Sequence, residues 1–152
     1  MKTFEELLAE LRAIDRVRGP RYVLDFEDVL AEMIALKDDG MIVPLMEFFD
    51  DEPPYLELMF SIIHTIESFD RETYIAQTLT GMPSLRERSP EWAETLIIRM
   101  LNSEQDRGAL IRRLDTSDSQ TKHSIRTILE RINARGVDSL EKSAPVIAAT
   151  EK

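Results

Sequence analysis

Residues 54–69 read PYLELMFSIIHTIESF, and this stretch decides the fold. Its apolar residues, Leu56, Leu58, Met59, Phe60, Ile62, Ile63, Ile66 and Phe69, recur at three- and four-residue spacing and cover most of a helical circumference. A helix that is apolar on most sides must pack against several neighbours, which places it centrally in a helical protein. The polar residues left over, Glu57, Ser61, His64 with Thr65, and Ser68, fall on one face.

Outward from this helix the same period continues in both directions, and no stretch alternates as a strand would. A first helix is expected from Thr3 to Val17, opened by a Thr3/Glu6 capping box and ended by Gly19-Pro20. Asp25 reads as the cap of a second helix that Asp39-Gly40 closes, and a third spans Ile42 to Phe49. The turn Asp50-Asp51-Glu52-Pro53-Pro54 leads into the central helix. Asp70 opens a fifth, closed by Gly81 and Pro83, and Ser89-Pro90-Glu91 opens a sixth that carries Trp92, Leu96, Ile97 and Met100. Ser103 caps a seventh ending near Leu114, and an eighth runs from Ser119 to Ala134 before Gly136. Residues 137–152 are weakly patterned and are expected to fray or add a short turn.

These helices fall into pairs whose second members start near Asp25, Pro54, Pro90 and Ser119, separated by 29, 36 and 29 residues. That period predicts an all-α domain over residues 1–136, with about eight helices in antiparallel pairs stacked in two HEAT-like layers. A closed helical bundle is the competing architecture.

Charge is distributed unevenly. The net charge is −10, and the segment from Asp25 to Glu72 holds 14 acids against only Lys37 and Arg71. Such a stretch repels nucleic acid and anionic membranes and attracts basic proteins. Asp38, Asp39, Asp50, Asp51 and Glu52 fall at turns that follow helices, where acids oppose the helix dipole. A cationic partner would relieve that repulsion, although solvated turns can carry the same charges. The absence of cysteine excludes disulfides, thiolate zinc sites and a cysteine nucleophile. The N-terminus lacks the apolar core of a secretory signal and no run is long enough to span a bilayer, so a cytoplasmic protein is expected.

Catalytic constellations are not found. The five glycines form no phosphate cradle, and the two histidines give one His-x-x-Glu pair, His64 with Glu67, where a carboxylate-bridged metal site needs two. The prolines in the DDEPPYLE run rule out a calcium loop. No enzyme, metal or cofactor is therefore expected. The polar stripe Glu57, Ser61, His64 and Glu67 reads either as a solvated face or as part of a binding surface beside the acidic turns. Trp92 continues the Leu96 and Met100 row into the core, and Arg99 near a helix end has a structural role by default.

The stretches SIIHTIESF and SPEWAETLIIRMLNS resemble bacterial immunity proteins of polymorphic-toxin and contact-dependent growth inhibition systems, the immunity protein 30 family in particular. The resemblance covers roughly residues 25–115 and is carried by His64, Glu67, Pro90-Glu91-Trp92, and Arg99 with Leu101-Asn102. It implies a cytoplasmic protein that binds and blocks the toxic C-terminal domain of a cognate effector, often a nuclease, one to one. It brings no catalytic residues. Nucleases present basic clefts to phosphates, so an acidic helical protein could plug one, with Tyr55 or Phe49 as apolar anchors. A helical-repeat adaptor for a basic protein or peptide is the other class of function that these features fit.

Overall fold

The computed structural model describes residues 1–136 and 140–152. Among the described residues nine α-helices form: α1 (Phe4–Val17), α2 (Tyr22–Leu36), α3 (Ile42–Met46), α4 (Leu56–Glu67), α5 (Arg71–Arg88), α6 (Pro90–Leu101), α7 (Glu104–Leu114), α8 (Ser119–Arg135) and α9 (Leu140–Thr150). None is long and apolar enough to cross a membrane. The chain is all-helical, as the periodicity predicts.

The helices stack in two layers. Odd-numbered helices follow one another (α3 on α5, α5 on α7, α7 on α9), and even-numbered ones do the same (α2 on α4, α6 on α8). The core runs through the stack without a break, from Leu7 and Leu11 through Met33, Ile63, Ile75 and Leu96 to Leu110, Leu129 and Val146. In α4, Leu58, Met59, Ile62, Ile63 and Ile66 are all buried, so the most apolar helix is held between α2, α3 and α5. The first three expected pairs lie side by side, whereas α7 and α8 are joined through α5, α6 and α9, each of which packs on both.

Residues 140–150, expected to be loose, are that helix: Val146 and Ala149 are buried, and the Ser143 hydroxyl donates to the Asn133 side chain at 2.8 Å. The expected tail also includes residues 137–139, which lie outside the described residues.

Four local expectations are corrected. The second helix starts at Tyr22, and Asp25 sits inside its first turn, bonded to Arg21 at 3.3 Å. Burial of Tyr22, whose hydroxyl donates to Asp15 at 2.7 Å, draws that turn into the helix. The left-handed exits of α1 and α2 are taken by Arg18 and Lys37, at φ 51° and 52°, and no glycine has positive φ. Third, α3 stops at Met46, three residues short of Phe49.

Finally, Gly81 and Pro83 do not close the fifth helix, which continues to Arg88. Gly81 is instead a packing residue. A Cβ there would lie 2.6 Å from the sulfur of buried Met46, so the missing side chain lets α5 lie against α3. Pro83 removes one backbone donor, and the helix persists because Met82 and Leu85 on either side are fully buried.

Candidate partner-binding surface

Helices α2, α4 and α6 run in the same direction, which fixes two ends of the stack. At one end the starts of α2 and α4 meet, where the rings of Tyr22 and Tyr55 lie 5.9 Å apart. At the other end α4 and α6 finish together, where Arg99 grips Glu67 through Nε and Nη2, both at 2.8 Å. Asp38 and Asp39 follow α2 and belong to this second end, while Asp50, Asp51 and Glu52 precede α4 and belong to the first. A helix of 15 residues separates the two groups, about 22 Å at 1.5 Å per residue. The five turn acids therefore do not form one patch.

Several of them also hold structure. The Asp38 carboxylate accepts from the Gly40 N–H at 2.8 Å and fixes the 3-10 turn Asp39–Met41. Asp50 accepts from the Glu52 N–H through its side chain and from the Trp92 indole N–H, at 2.7 Å, through its carbonyl. The Asp51 carboxylate accepts from the backbone N–H groups of Glu91 and Trp92 at 3.2 and 3.3 Å and thereby caps α6 from outside that helix. Ser89, read as the cap of α6, instead donates its hydroxyl to the Phe49 carbonyl at 2.8 Å. Asp39 and Glu52 face solvent.

Phe49, offered as an anchor, is buried and stacked on Trp92 with centroids 5.7 Å apart, so it cannot reach a partner. Tyr55 is about half exposed. Trp92 is in the core, where the sequence puts it.

The remaining residues of the stripe lie along α4. Ser61 donates to Glu27 of α2 and to the Glu57 carbonyl, both at 3.0 Å. Glu57 and His64 are exposed. Between α2 and α4 runs a shallow groove of about 280 Å³ lined by Glu27, Leu30, Ala31, Ile34, Ser61, His64 and Thr65.

Glu67 belongs to a different feature, a cleft of about 510 Å³ where α4 and α6 end and α5 and α7 begin. Two ion pairs flank it, Glu67 with Arg99 and Arg71 with Asp106 at 2.8 Å. Tyr74 is 3% exposed at its edge, with a hydroxyl that has no hydrogen-bond partner among the described residues. Burial, and then the carboxylates of Glu67 and Asp106, push its ionisation well above the ordinary phenol value. The Glu67 pairing raises Arg99 as well.

Arg71, Tyr74 and Asp106 were not singled out from the sequence. Their grouping depends on partners about 35 positions apart along the chain, a relation no local pattern carries. Asn102, also at the cleft, accepts from Lys142 of α9 at 2.9 Å.

Fold and surface together define an all-helical scaffold whose acidic stretch runs from α2 to the start of α5. The chain belongs to the immunity protein 30 family, whose model matches residues 13–110, well over half of its length. It is thus an immunity protein, and membership implies that it binds a cognate toxin. No curated protein and no solved structure matches it at a significant level.

Proposed function

We propose that this immunity protein neutralises a basic toxin domain of a contact-dependent growth inhibition system, in the cytoplasm, by one-to-one binding that covers the toxin's active site. A nuclease is the toxin class that suits it best, because a cleft built for phosphates is basic. The protein acts as a stoichiometric inhibitor and turns nothing over. The observation that carries this reading is compositional and spatial at once: α2 and α4 pack side by side, and neither contains a lysine or an arginine. Together they hold Asp25, Glu27, Asp28, Glu32, Glu57 and Glu67. A surface of that kind speeds association with a cationic protein and discriminates against acidic ones.

The test is calorimetric titration against the C-terminal domain encoded by the gene immediately upstream, at low and at raised salt. Tight one-to-one binding, weakened by salt and abolishing the domain's toxicity, is the expected result. No binding at micromolar concentration would discard that partner and favour a helical-repeat adaptor for some other basic protein or peptide.

A further inference from the structure

We infer that the toxin docks on the outward face of α2 and α4, as a basic segment that sets one apolar side chain into the groove between them. This rests on the neutralisation reading above and gives it a surface.

The face has the two ingredients of a protein interface. Its apolar part is uncovered: Leu24, Ile34, Tyr55 and Leu56 are between 39% and 58% exposed. Leu24, Ala31 and Ile34 lie along one side of α2 at helical spacing, with the acid Asp28 between them. Scattered exposed aliphatics are ordinary, but aliphatics aligned beside a groove mark a contact site. Across the groove, α4 presents Ser61 and His64, and Glu57 is exposed one turn before Ser61.

The polar part is acidic and uncompensated. Glu27 accepts only a hydroxyl, from Ser61, and among the described residues Asp28 and Glu57 have no ion pair. Arg21, at the entry to α2, is bound to Asp25. An occupant must therefore bring cations to the rim and an aliphatic or aromatic group to the groove, whose volume of about 280 Å³ suits one large side chain.

The other two candidate surfaces fit less well. The turn acids are divided between two ends and Asp51 is consumed by α6. The cleft at Glu67 has each of its carboxylates already held by an arginine.

The experiment measures association and dissociation rates of the upstream-encoded toxin domain with the full chain and three variants, each checked for helicity by circular dichroism. Asp28→Lys with Glu57→Lys is expected to slow association about ten-fold and to flatten its salt dependence. Leu24→Ser with Ile34→Ser is expected to speed dissociation about ten-fold, since loss of apolar contact acts mainly there. If that pair loses helicity, the two single substitutions are read instead. Arg71→Ala, in the cleft, is expected to bind as the unaltered protein does. Should the unaltered protein bind one to one while both α2–α4 variants match it, the surface is wrong and neutralisation stands. A loss confined to Arg71→Ala would move the site to the cleft and likewise overturn the inference. If the unaltered protein does not bind, both readings fall.

Discussion

The carboxylate of Asp51 accepts from the backbone N–H of Trp92 at 3.3 Å, across 41 positions of sequence. A second bond, from the Glu91 N–H to the other oxygen, makes Asp51 the cap of a helix it does not belong to. The same short turn receives the Trp92 indole N–H and the Ser89 hydroxyl, and Phe49 stacks on the indole. One acidic turn thus ties the α3–α4 connection to the start of α6.

Removing that carboxylate is expected to cost stability. Asp51→Ala should lower the unfolding free energy by about 1–2 kcal/mol, the usual worth of an N-cap, and Asp51→Asn by less, because an amide oxygen still accepts. Urea denaturation followed by circular dichroism reads both. Equal midpoints for Asp51→Ala and the unaltered protein would show that the turn is held without the carboxylate. A practical consequence concerns binding studies: reversing Asp50, Asp51 and Glu52 together would perturb α6 as well as charge. Glu52→Lys, on a residue that faces solvent, isolates the charge of this turn.

What was legible in the sequence follows from how far apart the causes lie. Helix identity rests on residues three and four apart, so the stripe of α4, the cap of α7 at Ser103 and the burial of Trp92 could all be read from the chain. Gly81 looked like a terminator because glycine often ends helices. Its role is set by Met46, 35 positions earlier, which needs the space a side chain would fill. The Glu67–Arg99 fork and the Asp51 cap are likewise relations between separate helices. The acidic stretch was visible as composition, but its division between two ends depends on α2 and α4 running parallel. Helix α9 was missed for a different reason. It carries an internal proline, Pro145, which argues against a helix, and its neighbours α7 and α8 supply the burial that propensity does not.

Acid should unfold the protein partly through two helix caps. The carboxylate of Asp70 is held below the ordinary value of 3.8 by the Thr73 hydroxyl and then the Thr73 N–H. Asp118 is held below it by the N–H and then the hydroxyl of Thr121. In each case the native state binds fewer protons than the unfolded chain once pH nears that value. The stabilisation is therefore complete above the unfolded pKa and disappears as pH falls through the lower native one. The expected outcome is a stability that declines below about pH 4, and a shallower decline for Asp70→Asn and Asp118→Asn. Urea midpoints measured from neutral pH downward check it, and an unchanged slope in both variants would assign the acid sensitivity to other carboxylates.

The cleft offers a prediction with the opposite sign. Tyr74 is 3% exposed, and its buried hydroxyl has no hydrogen-bond partner among the described residues. Stripping a hydroxyl of its solvent without compensation costs about 1–3 kcal/mol, whereas the ring beneath it is ordinary core. Tyr74→Phe keeps the ring and removes the oxygen, so it should stabilise the protein by up to about 1 kcal/mol, less than the full penalty because the site must close over the vacated space. Toxin binding should be unaffected, since the α2–α4 face lies elsewhere in the stack. Thermal and urea unfolding measure the first outcome and the association assay the second. A Tyr74→Phe protein that is less stable than its parent would mean that the hydroxyl is satisfied in solution, by a water molecule reaching it between the two ion pairs.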